Sequence, residues 1–345
     1  MSSPPRRQRT EPMPESLRKL TWPLAALGIL LLFNALLNPE FFSLHFGEGR
    51  LTGSLVDVLD RATPVLLLSL GMTLVIATAG VDLSVGAVMA MAGSISAVLL
   101  TDVGMPVLPT LLITLLASLA AGAWNGLLVS MLGIQPIVAT LILMVAGRGI
   151  AQLLTDGQII PIEGHPGFAY LGGGTLFFLP VTITIALAAA LFTAIAVRYT
   201  ALGLFIESAG ENPTASRYAG LNVRAVRLLV YTLSGLFAGV AGLIYASDIT
   251  AADANNAGLY LELDAILAVV IGGTALSGGR FFLAGSIIGA LIIQTLGTTI
   301  LMTQIGGQSI PAEWNLIVKA IVVLVVCLLQ SAALRQILTG KGVRG

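Results

Sequence analysis

The sequence predicts an all-α, polytopic membrane bundle of about ten transmembrane helices, and three observations carry that prediction. Of the 345 residues, 56% are apolar and only 10% are charged, where soluble domains carry about a quarter charged residues. The apolar residues fall into runs close to the ~20 residues that a helix needs to cross a hydrocarbon core, without the period-two alternation of membrane β-barrels. The 39 glycines are scattered among leucines and alanines, where small side chains let helices in lipid approach closely. The formal net charge is zero, so overall charge points to no nucleic-acid partner.

Residues 1–20 form a polar tail with Arg6, Arg7, Arg9, Arg18 and Lys19. This resembles the charged start of a signal peptide, but no small-x-small cleavage site follows 24–37, so the first run is expected to be retained. The runs lie at 21–38, 62–80, 84–101, 106–130, 136–154, 176–198, 224–247, 263–275, 281–302 and 313–334. The transmembrane domain thus covers 21–334, with 335–345 as a second tail. The run at 263–275 is short, and 62–101 is interrupted at Ala79-Gly80-Val81-Asp82.

Basic residues in the loops set the orientation. Ten spans put both termini and the 199–223 loop on one side, with thirteen of the 17 basic residues, among them Arg198, Arg217, Arg224, Arg227, Arg280 and Arg335. That side is expected to be cytoplasmic. The opposite side has Arg50 and Arg61 and most of the acids, including Asp57, Asp60, Asp248 and Asp253.

A weak internal echo links two places. Val75–Gly80 precedes a break and then Val85-Gly86-Ala87; Val270–Ala275 precedes a break and then Ala284-Gly285-Ser286. Repeats with Gly-interrupted helices are a common transporter plan. Polar groups within the membrane are functional candidates by default. Asp82 at the first break, expected near the membrane edge, either caps the following helix or lines a pathway. Asn125, Arg148, Asn256 and Gln294 are further pathway candidates. Arg148 lies deep in the fifth span and must pair, meet water or snorkel. Lys319, near the outer third of the last span, is expected to snorkel. Glu262 and Asp264 fit helix-dipole capping.

No metal or cofactor is expected: the only histidines, His45 and His165, lie in loops, and the single Cys327 sits in an apolar run. No Ser/His/Asp set suggests an enzyme. No Gly-x4-Gly-Lys-Ser/Thr loop is present to cradle phosphates, so any ATP chemistry belongs to another chain. In the 199–223 loop, Asn212-Pro213 reads as a helix start and Gly220 as its stop. A helix that short needs support from the bundle or a partner.

The loop resembles the coupling segment of ABC importer permeases of the ribose/branched-chain amino acid class. The likeness rests on Ser208-Ala209-Gly210-Glu211-Asn212, Ala215, Arg217 and Gly220, on Gly71–Ile76 with Gly80–Gly86, and on Ile271-Gly272-Gly273 with Gly278-Gly279-Arg280. It extends over about residues 55–330. Gly203–Glu207 and Asp253–Leu259 are most similar to a galactofuranose permease. Leu204 departs from the class, in which many members have Arg after the matching glycine. The resemblance implies an ATPase-coupling role for Glu207, Gly210, Asn212, Arg217 and Gly220. It also implies an ABC ATPase subunit, a periplasmic sugar-binding protein and a second permease as partners, in a bacterial inner membrane. The rival is an ion-coupled secondary transporter of a small polar solute, which requires membrane-embedded carboxylates; only Asp82 stands near a break.

Overall fold

The computed structural model describes residues 15–37, 40–47, 49–302, 304–305, 308–309, 314, 316–321 and 324. Its helices are α1 (Glu15–Leu37), α2 (Ser54–Ala77), α3 (Val85–Thr101), α4 (Val107–Ser130), α5 (Pro136–Leu154), α6 (Pro166–Gly173), α7 (Val181–Tyr199), α8 (Leu202–Glu211), α9 (Pro213–Tyr218), α10 (Val223–Asp248), α11 (Leu261–Ile271) and α12 (Leu283–Met302). The strands among the described residues are short antiparallel pairs of two or three residues, so the fold is all-α.

Seven of these helices, α1, α2, α4, α5, α7, α10 and α12, are long and apolar enough to cross a membrane. The chain is therefore a multi-pass membrane protein. Among the described residues these seven are joined by further, shorter helices, so the expected count of about ten is matched only loosely. The run at 84–101 forms α3, with 17 residues. The run at 263–275 forms α11, with 11 residues, or about 16 Å at 1.5 Å per residue, too short to span. The run at 313–334 lies mostly outside the described residues. The shortness of α11 has a physical cause. After α10 the chain folds back into the bundle, and the backbone of Gly258 (φ +70°) rests on that of Gly86 in the first turn of α3. Tyr260 then adopts a left-handed conformation (φ +64°) and α11 begins there, partway through the bundle.

α10 is the central helix and packs on α4, α2 and α3, while α12 packs on α11, α2 and α1. Small residues make these approaches possible. A Cβ on Gly235 would lie 2.7 Å from Gly122 Cα of α4, and one on Gly71 would lie 2.8 Å from Ser234 Cα. Dispersion between closely packed backbones replaces the hydrophobic effect where the surrounding solvent is lipid. A buried apolar core of Leu67, Leu70, Met72, Met89, Phe237, Ile244 and neighbours fills the space between α2, α3 and α10.

At the end of the bundle remote from α8 and α9, two small hairpins meet. One pairs His45–Gly47 with Arg50–Thr52, the other Thr175–Leu176 with Leu179–Pro180. The turn of the second is Phe177-Phe178, both left-handed (φ 50° and 67°). Such a turn favours Asn-Gly, and each left-handed non-glycine residue costs roughly 1–2 kcal/mol.

Candidate functional site

The 199–223 loop forms two helices. The sequence anticipates only the second. Thr200 Oγ1 accepts from Leu202 N–H (3.1 Å) at the start of α8. Ile206, Ala209 and Gly210 are buried against the bundle, and α8 packs on α10, α7 and α2. Asn212 then leaves helical geometry (φ −149°), and its side chain accepts from Ala215 N–H at 2.9 Å to cap α9. Ser216 Oγ donates to the Ser208 carbonyl (2.7 Å) and ties α9 back onto α8. Gly220 (φ +87°) ends the element in a conformation that suits glycine. Asn212, Arg217, Tyr218 and Gly220 face outward, with Tyr218 90% exposed, while Glu207 is half-buried.

The buried end of α8 meets both Gly-rich breaks at one point. Gly279 N–H donates to the Ala77 carbonyl (2.9 Å), joining the 272–282 break to the C-terminus of α2. Gly210 packs against this bond: a Cβ there would run into the Ala77 carbonyl oxygen and lie 2.6 Å from Gly279 N. Gly278 packs on Ala79 so closely that its Cβ would lie 2.8 Å from Ala79 N. Both Gly278 (φ +85°) and Gly279 (φ +89°) hold left-handed geometry, the conformation glycine adopts at no steric cost. The contact is thus backbone against backbone, with no flexible side chain in between. Three segments distant in sequence form a single junction.

Behind the junction lies a buried polar cluster. Asp82, expected near the membrane edge, is instead 1% exposed, beside Ser234 about halfway along α10. The chain turns inward after Gly80, where Tyr231 packs against the backbone. Asp82 Oδ1 accepts from Ser84 N–H (3.1 Å), Ser84 Oγ (2.6 Å) and Asn125 Nδ2 (3.4 Å), and Oδ2 accepts from Ser234 Oγ (2.8 Å). Asn125 Nδ2 also donates to Ser84 Oγ (2.8 Å). The cluster ties the first break to α3, α4 and α10, and the positive end of the α3 dipole faces the carboxylate.

At the other end, Arg148 Nη1 donates to the carbonyls of Ala254 (3.0 Å) and Ala257 (2.6 Å). The guanidinium therefore holds the folded-back segment in place. In that segment Asp253 accepts from Asn255 N–H and Asn256 N–H (both 3.0 Å) and from Asn256 Nδ2 (2.8 Å). Burial raises its pKa, but these donors and the nearby Arg148 outweigh it and hold the carboxyl below the usual range. Lys319 does not snorkel: Nζ pairs with Asp264 Oδ2 at 2.6 Å, with side chains only 15% and 10% exposed. A charge that starts partway through the bundle with α11 needs a partner there. Lys319→Met is expected to destabilise the chain by about 3–5 kcal/mol, because it strands a buried carboxylate. Lys319→Met with Asp264→Leu is expected to recover most of that loss, read as thermal unfolding in detergent.

The structure brings Asp82 and Asn125 into one cluster, and it sets Arg148 of α5 against the folded-back segment that carries the exposed Asn256. Gln294 stands apart on α12 and donates to Thr298 (3.4 Å) one turn on. A cavity of about 430 Å³ between α2, α7 and α10 brings together Asp57, Asp60, Arg61, Thr182, Tyr245 and Asp248, with Thr182 Oγ1 donating to Asp60. The sequence marks these acids only as a bias of one side; α7 sits too far along the chain for its place beside them to show.

Comparisons with known proteins agree with this architecture. The family model described as "Branched-chain amino acid transport system / permease component" matches residues 54–327. The chain is 51% identical to the galactofuranose transporter permease protein YtfT of Escherichia coli over 96% of this chain and 98% of that one. It is 38% identical to the fructose import permease protein FruF of Bifidobacterium longum over 92% and 89%. It is 33% identical to the ribose import permease protein RbsC of Escherichia coli over 89% and 92%. The chain belongs to the branched-chain amino acid transport system / permease component family, as a transport subunit rather than an enzyme.

Proposed function

We propose that this chain carries a monosaccharide, galactofuranose or a close relative, across a bacterial inner membrane as the permease of an ATP-driven importer. The similarity to sugar-import permeases along nearly the whole chain supports the substrate class. The observation that carries the mechanism is the seating of Gly210 against both Gly-rich breaks. An ABC ATPase subunit docks on the outward face of α9, where Arg217 and Tyr218 stand free of the bundle beside an open groove of about 410 Å³ lined by Phe205, Leu221 and Val226. Both termini lie on that cytoplasmic side. ATP-driven closure displaces α8, and the junction passes the displacement to the breaks after α2 and α11. These reorient the helices around the pathway, which a second permease completes, and a periplasmic sugar-binding protein delivers the solute to the opposite side.

The pathway residues under this reading are Asp82, Asn125, Arg148, Asn256 and Gln294, with the first two buried in the present conformation. Proteoliposomes holding the permease, its ATPase and its binding protein are expected to accumulate labelled galactofuranose only with ATP inside the ATPase compartment. Uptake by the permease alone, without ATP or binding protein, would sink the proposal.

A further inference from the structure

The two hairpins remote from α8 and α9 have no role in the coupling described above, yet their construction is unusual. Phe177 and Phe178 hold two successive left-handed positions where Asn-Gly would sit without strain. Strained residues persist where the surroundings over-determine them, and they cluster where they serve a function. Here the turn aims aromatic rings outward: Phe177 is 81% exposed, Phe178 59% and Phe46 of the other hairpin 65%. The hairpins act as one unit, because Leu51 N–H donates to the Phe178 carbonyl (2.9 Å) and the Phe46 and Phe178 rings pack at a tilt of 56° with centroids 5.4 Å apart.

We propose that these paired hairpins form an aromatic wedge whose occupant is the bilayer itself, at the headgroup–acyl boundary. Two observations favour lipid over a water-borne partner. Residues 166–197, which contain the turn, hold no charged side chain, so the loop lacks the groups that keep a free surface wetted. The apolar surface is also continuous with that of α7. This helix starts at Val181, three residues after the turn, and exposes Leu187, Leu191 and Ile195 in a strip, as a lipid-facing helix does. A rigid turn that holds two rings in the boundary region gains apolar burial there. It fixes the depth of the first turns of α2 and α7, which flank the acid-lined cavity.

The test places nitroxide labels on single cysteines in a Cys327→Ser background, with the protein in nanodiscs. Phe177→Cys is the main site and Phe46→Cys the second, in case the first perturbs the turn. Leu191→Cys on α7 and Glu163→Cys in an exposed loop serve as lipid and water references. Both wedge labels are expected to show an oxygen-to-nickel-chelate collision ratio clearly above that of the Glu163 label and below that of the deeper Leu191 label. Accessibility like that of the Glu163 label would overturn the proposal. So would protection from both reagents, which would mean that a second copy of the chain covers the hairpins.

Discussion

Gly210→Ala is expected to leave the protein in the membrane at normal abundance and to lower ATP-driven uptake at least about tenfold. The added methyl group has no room, since it meets the Ala77 carbonyl oxygen and stands 2.6 Å from Gly279 N. Neither neighbour is the mobile end of a side chain; both are backbone. The end of α8 must move away or the Gly279 N–H bond to Ala77 must break. Overpacking of this kind costs roughly 1–3 kcal/mol, too little to unfold a bundle of this size but enough to separate α8 from the breaks. ATP hydrolysis by the partner subunit should continue and no longer track transport. The check is uptake and hydrolysis measured on the same proteoliposomes, with wild-type uptake in Gly210→Ala counting against the junction.

Asp82→Ala is expected to lower stability by about 3 kcal/mol. The carboxylate receives Ser84 N–H, Ser84 Oγ, Asn125 Nδ2 and Ser234 Oγ, and each buried donor left without a partner costs about 1–3 kcal/mol. Two opposing effects temper the sum. Asn125 keeps its bond to Ser84 Oγ, and removing a buried charge relieves its desolvation. Asp82→Asn keeps an acceptor oxygen and the shape of the site, so it should lose less. Thermal unfolding of both variants in detergent separates the two contributions. Equal losses would show that the charge, rather than the hydrogen bonding, holds the cluster together.

Much of this architecture is legible in the sequence because lipid imposes a simple rule. Apolar runs of sufficient length become helices, and the seven long spans fall within or close to the runs. The cap at Asn212-Pro213 is also legible, since Asn, Pro and a following Gly act locally. What stays hidden depends on tertiary contact. α8 shows no start signal beyond Thr200 and merges with the run of α7. α11 looks like a short span because the fold-back of Gly258 onto Gly86 joins residues far apart in sequence. Asp82 reads as a boundary residue, although the turn after Gly80 sends it inward to Ser84, Asn125 and Ser234. The likeness of the two breaks is visible, but their meeting at Gly210 is a property of packing alone.

The central claim is that α8 and the two breaks move as one body during transport. Glu211→Cys with Gly279→Cys, in a Cys327→Ser background, tests it directly, because a Cβ at 279 would lie 3.5 Å from Glu211 Cβ, within disulfide range. If the junction transmits displacement rigidly, the oxidised protein takes up sugar with ATP about as well as the reduced protein. Uptake that vanishes on oxidation and returns with reductant would contradict the claim, because the contact would then have to open in every cycle.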